Sequence, residues 1–201
     1  MIKRLFDTAL SGLGLAISAP LWLAIAAIVK MQDGGPVFFT QARVGENGRV
    51  FTAFKFRSMV VDEGRASGPA QAQSHDPRVT PIGRLLRATA MDELPQLWNI
   101  FRGDMSFVGP RPLVPGEIEV SGNGRVVRLD EIPGYEARHR IKPGLTGLTQ
   151  VGAPRDIPRI EKFRLDLEYA DRASFWLDMK LILLSFWITA RGKWEHRGPK
   201  I

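Results

Sequence analysis

Two adjacent carboxylates, Asp92 and Glu93, and an arginine between two prolines, Arg111, are the residues of this chain best suited to chemistry. They lie within "MDELPQLWNIFRGDMSFVGPRP", residues 91–112. At the start of a predicted helix, the macrodipole and the free N–H groups favour an ionised Asp92 and a bound phosphate. Adjacent helical side chains point in different directions, so one carboxylate can attack or bind metal while the other handles a proton. A helix cap in water remains the simpler interpretation of the pair taken alone.

The arginines near this pair favour chemistry on a phosphate. Pro110 and Pro112 fix the backbone around Arg111 and remove two N–H donors, so its guanidinium loses little freedom when it grips phosphate oxygens. Carboxylates and arginines together are the side chains that phosphoryl transfer requires. Three more arginines flank the pair in sequence: Arg84, Arg87 and Arg102.

The overall composition also indicates an anionic partner. The 201 residues include 28 Lys and Arg against 21 Asp and Glu, which gives a formal net charge of +7. Nucleic acid, an anionic lipid surface and phosphorylated substrates all fit such a charge. The chain has no cysteine, which excludes disulfides, thiolate nucleophiles and zinc–thiolate sites. Its three histidines are too scattered to indicate a metal cluster.

An uncharged apolar run, residues 8–29, predicts a membrane segment. As a helix it is about 33 Å long, enough for the hydrocarbon core of a bilayer. Basic residues flank both ends, which the positive-inside rule disfavours for a simple span. We therefore predict a re-entrant helix-hairpin over residues 1–30, kinked at Pro20, with both ends on one face. Ser18 would satisfy a carbonyl that the kink frees.

Two other interpretations of this run stay open at the level of sequence. A kinked helix could still cross the membrane once. A cleaved signal peptide could end near residues 24–26, although the apolar run is longer than such peptides usually have.

The rest of the chain, residues 31–201, predicts a mainly helical small domain of the α+β class. Two β-rich runs, residues 37–44 and 50–59, flank Asn47-Gly48, a strong signal for a β-hairpin. The second run places Lys55 and Arg57 on one side. Two helical pieces follow, with Asp92 as the predicted N-cap of the second and Gly103 at its end.

Near the C-terminus, residues 175–194 combine an apolar run of ten residues with three tryptophans and several basic residues. This composition favours an amphipathic helix at about 175–190, lying in the membrane interface. A buried core helix explains the same pattern equally well.

Four stretches of the chain form long, specific motifs: "KFRSM" (55–59), "DPRVTPIGRLLR" (76–87), residues 91–112 and "KPGLTGLTQV" (142–151). Together they resemble the bacterial sugar transferases, the monotopic phosphoglycosyl transferases. The resemblance covers nearly the whole chain and is to the minimal catalytic form of the family.

This resemblance implies an enzyme on the cytoplasmic face of the bacterial inner membrane, with a re-entrant helix. Such an enzyme moves a sugar 1-phosphate from a nucleotide-sugar donor, usually a UDP-sugar, to a polyprenyl phosphate acceptor and releases UMP. It also implies Mg²⁺, with Asp92 as nucleophile, Glu93 as its partner and both as metal ligands. The matching positions around phosphate and nucleotide are Lys55, Arg87, Arg111 and Gln150, and we add Arg57 and Arg84 as further candidate phosphate ligands. Many members read "QVNGR" where this chain has "QVGAPRD", and Arg155 is the candidate to replace that arginine.

A non-enzymatic protein, tethered to the membrane and binding anionic lipid or nucleic acid, is the rival interpretation. It explains the charge and the anchor but leaves the carboxylate pair and Pro-Arg-Pro unexplained. Basic residues interleaved with aromatic ones would favour nucleic acid, and only "FTAFKFR" offers this faintly, so we expect no nucleic-acid partner. We expect membrane lipids as a partner, and the oligomeric state, including a homodimer, stays open.

Overall fold

The computed structural model describes residues 2–60, 76–120, 126–154 and 157–194. These residues form a mixture of helices and short strands, which confirms the expected mixed fold with a long apolar helix at the N-terminus. The helices are α1 (Ile2–Asp33), α2 (Pro81–Ala88), α3 (Gln96–Arg102), α4 (Tyr135–Arg138), α5 (Leu148–Gly152), α6 (Arg159–Arg172) and α7 (Phe175–Ala190). The strands are β1 (Phe38–Val44), β2 (Val50–Phe56), β3 (Ser106–Val108), β4 (Ile118–Val120), β5 (Val126–Arg128) and β6 (Gly144–Thr146).

Helix α1 is part of the folded body. Near its beginning, the buried carboxylate of Asp7 accepts a hydrogen bond from the backbone N–H of Phe107 (3.2 Å). Near its end, Ile25 and Val29 are buried in one apolar cluster with Phe56 and Leu86. A cleaved leader would not contribute buried residues at both ends to the core, so this packing argues against the signal-peptide interpretation.

Both ends of α1 are bound to the same body by ion pairs. At the first turn, the ammonium group of Lys3 bonds the carboxylate of Asp178 and the hydroxyl of Tyr169. At the last turn, Asp33 accepts hydrogen bonds from the buried guanidinium of Arg57. In the part of the chain that the structure describes, α1 is also the single helix long and apolar enough to cross a membrane.

The backbone around Pro20 differs from the expected detail. Helix α1 continues through Pro20, whose missing N–H leaves the carbonyl of Ala16 without its usual donor. The hydroxyl of Ser18 donates instead to the carbonyl of Gly14 (2.6 Å). The prediction that Ser18 satisfies the freed carbonyl is therefore wrong, because its hydroxyl bonds the carbonyl of Gly14 and not that of Ala16.

The predicted β-hairpin is confirmed. Strands β1 and β2 pair antiparallel from Phe38↔Phe56 to Val44↔Val50. Asn47 and Gly48 both have positive φ, 54° and 76°, which is the conformation that makes this pair a turn signal. Because directly paired residues share a face, the odd-numbered side chains of both strands lie on one side of the hairpin.

Asn99 holds the hairpin against α3. This fully buried side chain donates to the carbonyl of Thr52 (2.7 Å) and accepts from the N–H of Phe54 (3.2 Å). The two bonds bracket the stretch of β2 that leads to Lys55. Asn99 therefore fixes the distance between β2 and α3.

Candidate active site

The carboxylate pair lies in a short turn that precedes α3. Met91–Glu93 is a single turn of 3₁₀-helix, entered from Ala90 in the left-handed conformation (φ 55°). Helix α3 begins after Pro95, and its N-terminus has no side-chain cap. The prediction that Asp92 is the N-cap is therefore wrong. The left-handed Ala90 starts a separate turn that contains both carboxylates, and α3 begins only after Pro95. The end of the helix at Gly103 is confirmed (φ 96°).

Glu93 is held by two cations. Its Oε1 atom accepts hydrogen bonds from Lys55 Nζ and from Arg111 Nη2 (3.0 Å). Burial opposes ionisation of this carboxylate, but the charges of Lys55 and Arg111 outweigh it and hold its pKa well below the usual range. In return, the charge of Glu93 raises the pKa of Arg111. Glu93 is therefore ionised at any physiological pH.

Asp92 has the opposite environment. Its side chain is buried, with 8% of the residue exposed, and has no hydrogen-bond or ion-pair partner among the described residues. Burial raises its pKa to about 6, opposed by the charge of Lys55 and reinforced by that of Glu93. The two neighbours are therefore an ion-paired carboxylate and a poorly solvated one, and this difference suits them to separate tasks.

The Pro-Arg-Pro segment is fixed through its backbone. The buried guanidinium of Arg138 donates to the carbonyl of Arg111 (2.7 Å) and is itself paired with Asp166. Arg43 donates to the next carbonyl, that of Pro112 (3.0 Å). Gln150 is buried behind the segment, where its Nε2 donates to the carbonyl of Gly109 (3.2 Å). The side chain of Arg111 itself is half exposed and extends to Glu93.

The other predicted phosphate ligands separate into two groups. Arg87 lies close enough to Asp92 for its charge to lower the pKa of that carboxyl. Arg57 is bound to Asp33 and to the carbonyl of Val29, at the end of α1. Arg84 lines a different cavity of about 600 Å³, which Asp33 also lines. Arg155 lies outside the described residues.

The side chains that meet at Glu93 line a small cavity of about 10 Å³, roughly the space of one water molecule. Its lining residues are Arg43, Ala53, Lys55, Glu93, Gln96, Arg111, Pro112 and Gly144. Arg43 is not among the site residues predicted from sequence. The signal that could have found it is the hairpin itself, since pairing about Asn47-Gly48 places residues 43 and 55 on one face.

Asp92 and Glu93 fit a magnesium ion by the chemistry of their donors. Mg²⁺ prefers hard oxygen ligands and is usually held by one or two carboxylates together with substrate phosphates. Asp92 offers a carboxylate without a hydrogen-bond partner in the described chain, beside the ionised Glu93. Within the described ranges, no group of three or more Asp, Glu, His or Cys could hold a metal without such help.

The family model for bacterial sugar transferases matches residues 1–192, which include every element described above. The chain belongs to the bacterial sugar transferase family. The match therefore covers α1, the hairpin, the carboxylate turn and α7 together.

Three curated relatives illustrate the similarity. The undecaprenyl-phosphate glucose phosphotransferase of Komagataeibacter xylinus is 44% identical over 188 residues, which cover 91% of this chain and 35% of that protein. The UDP-glucose:undecaprenyl-phosphate glucose-1-phosphate transferase of Klebsiella pneumoniae is 43% identical, covering 92% and 39%. The exopolysaccharide production protein ExoY of Rhizobium meliloti (strain 1021) is 37% identical, covering 90% and 82%. The chain thus spans less than two fifths of the first two relatives and most of the third.

Because Asp92 and Glu93 have opposite environments, replacing each by its amide should change the stability of the fold in opposite directions. Asp92→Asn should raise the melting temperature above pH 6, because it removes a carboxylate whose pKa is raised from 3.8 to about 6 on folding. The penalty of the ionised group appears as pH rises from about 4 to about 6, and amounts to up to about 3 kcal/mol at 1.36 kcal/mol per pKa unit. Thermal unfolding of this sugar transferase family member between pH 4 and 8 measures the difference, which should vanish near pH 4.

Glu93→Gln is the matched control with the opposite sign. Glu93 has a lowered pKa, so its ionised form stabilises the fold at neutral pH, and the glutamine variant should melt at a lower temperature there. Equal melting temperatures of the wild type and Asp92→Asn at pH 8 would show that burial does not penalise Asp92.

Proposed function

We propose that this chain transfers a sugar 1-phosphate from a UDP-sugar to a polyprenyl phosphate and releases UMP. The observation that carries the proposal is the carboxylate turn, in which a buried Asp92, without a partner in the described part of the chain, adjoins a Glu93 that is paired with Lys55 and Arg111. The names of the relatives from Komagataeibacter xylinus and Klebsiella pneumoniae describe glucose phosphate transfer to undecaprenyl phosphate and support the substrate classes.

Asp92 would act as the nucleophile in two steps. Its carboxylate oxygen forms a bond to the phosphorus that carries the sugar, and the bond from that phosphorus to the UMP oxygen breaks, so UMP leaves with the electron pair. An oxygen of the polyprenyl phosphate then attacks the same phosphorus and releases Asp92 as a carboxylate. With a pKa of about 6, Asp92 is mostly ionised at neutral pH, yet poor solvation leaves it reactive.

The remaining side chains would hold charge around the phosphorus. Lys55 and Arg111 both contact the carboxylate of Glu93, so both can also contact a phosphate that binds beside this carboxylate. Arg111 offers a planar fork for two phosphate oxygens. Mg²⁺, held by Asp92 and Glu93, would neutralise the diphosphate and the leaving UMP. Asp92 and Glu93 would share two further tasks, the binding of the metal and the transfer of a proton.

We further propose that the enzyme sits on the cytoplasmic face of the inner membrane as a monotopic protein. Both ends of α1 are bound to one body, at Lys3 and at Asp33, which supports a re-entrant placement over a single crossing.

The outward face of α7 supports an interfacial helix, because it exposes Trp176, Leu183 and Trp187 beside Lys180. Trp194, by contrast, packs against the main core cluster and does not extend this face.

The mechanism predicts a covalent adduct on Asp92. With a UDP-sugar and Mg²⁺ but no lipid acceptor, the wild type should release UMP in a burst of at most one per active site. Mass spectrometry should then find a sugar phosphate on the peptide that contains Asp92. Asp92→Asn should show neither burst nor adduct, while Asp130→Asn, at an exposed carboxylate, should show both. Steady turnover by Asp92→Asn, or transfer without any adduct, would contradict the two-step mechanism.

Arg111→Lys should lower turnover by about 100-fold and leave the melting temperature close to that of the wild type. Lysine keeps the charge but loses the planar fork that grips two phosphate oxygens. UMP release from the UDP-sugar measures the effect, with Arg128→Lys, at an exposed ion pair, as the matched control. Near-normal turnover of Arg111→Lys would mean that Arg111 supplies diffuse charge only.

The membrane placement predicts that both ends of α1 are cytoplasmic. The chain has no cysteine, so Ile2→Cys and Met31→Cys, both at strongly exposed positions, can be labelled without background. An impermeant thiol reagent should label neither site in intact cells and both in inverted vesicles. Val50→Cys on the hairpin is the cytoplasmic reference. Labelling of Ile2→Cys from outside, with Val50→Cys protected, would show that α1 crosses the membrane.

A further inference from the structure

Arg43 lies on the face of the hairpin that carries Lys55. Strand β1 pairs with β2 so that Gln41 faces Ala53 and Arg43 faces Phe51, and the odd-numbered side chains share one side. Arg43, Ala53 and Lys55 consequently line the same cavity as Glu93 and Arg111. The hairpin register alone brings this second basic side chain to the carboxylate turn.

The guanidinium of Arg43 is anchored but only partly used. Nη1 donates to the carbonyl of Pro112 (3.0 Å) and Nη2 donates to Oε1 of Gln41 (2.6 Å). A guanidinium has five N–H groups, so three have no hydrogen-bond partner among the residues that the structure describes. Through the described ranges of the chain, no carboxylate lies within ion-pair distance of Arg43. Its charge is therefore held in a fixed position without a contact ion pair in those ranges, although the charges of Glu117 and Glu93 act on it from farther away.

The cavity has an excess of positive charge. Three cations, Arg43, Lys55 and Arg111, line it together with one carboxylate, that of Glu93. Burial lowers the pKa of Arg43 to about 10, assisted by the charge of Arg111, so Arg43 is still a cation at neutral pH. A partly buried cation costs free energy unless an anion approaches it. The arrangement therefore favours an anionic ligand, and the space for about one water molecule fits one oxygen of such a ligand.

We propose that Arg43 binds a phosphate oxyanion, as a third cation beside Lys55 and Arg111. This inference rests on the proposed function and adds a substrate-binding residue to its site. Gln41 and the carbonyl of Pro112 orient the guanidinium, and the three remaining N–H groups supply the contacts. The phosphate belongs to the UDP-sugar or to the polyprenyl phosphate, which share this chemistry.

Arg43→Gln should weaken binding of UDP about tenfold and leave the melting temperature within a few degrees of the wild type. Titration calorimetry of the protein in lipid nanodiscs, with Mg²⁺ present, measures the affinity. Arg49→Gln is the matched control, because it removes a cation from the exposed turn of the same hairpin. If Arg43→Gln melts at a much lower temperature, Arg43→Lys takes its place, with an expected loss of at least threefold relative to Arg49→Lys.

A double variant separates direct binding from a role through Arg111. Arg43 also holds the Pro-Arg-Pro backbone, so it could act by positioning the Arg111 side chain. If Arg43 binds phosphate itself, Arg43→Gln should weaken UDP binding by a similar factor in the wild type and in Arg111→Ala. If the effect disappears in Arg111→Ala, Arg43 is a positioning residue and the proposal is overturned.

The source of the phosphate follows from a second measurement. Normal UDP binding by Arg43→Gln with a raised KM for polyprenyl phosphate would assign Arg43 to the acceptor and still support the proposal. Normal values of both would overturn it. Failure of the wild type to release UMP from any UDP-sugar would contradict the proposed function instead, and the UDP titrations would still decide whether Arg43 binds phosphate.

Discussion

The carboxylate of Glu93 joins three distant parts of the chain through one oxygen atom. Lys55 comes from the β-hairpin, Arg111 from the Pro-Arg-Pro segment, and Glu93 itself from the turn before α3. Removing Glu93 would leave two cations without their shared partner, and removing Lys55 would leave a poorly solvated carboxylate paired only with the half-exposed Arg111. The other contacts in this region, such as Asn99 to β2 and Arg138 to Arg111, hold the backbones at the separation that these ion pairs require.

Much of this arrangement could be predicted from sequence, because it depends on local signals. Asn47-Gly48 determines the hairpin, Gly103 determines the end of α3, and the adjacent carboxylates are visible in the sequence. Local signals failed where the backbone takes a conformation that its residue type does not favour. The cap assigned to Asp92 is wrong because Ala90 adopts a left-handed conformation that alanine rarely takes, and sequence alone gives no reason to expect it.

The roles of the basic residues also could not be predicted from the sequence alone. Arg57 and Lys55 are two residues apart and look equivalent in sequence, yet one binds the end of α1 and the other binds Glu93. Arg43 follows no recognised chemical motif, and only the register of the hairpin brings it to the site. Long-range partners of this kind depend on how α1, the hairpin and the Pro-Arg-Pro segment pack together, which a single sequence does not specify.

The ion pairs at the two ends of α1 also affect how the protein meets a bilayer. A free transmembrane helix adjusts to membrane thickness by tilting independently of the domain to which it is linked. Here the bonds of Lys3 and Asp33 couple the tilt of α1 to the orientation of the whole body. In the proposed membrane placement, a thicker or thinner bilayer must deform around the protein or rotate it as one unit. Lipid composition would then change the height of the carboxylate turn above the membrane surface.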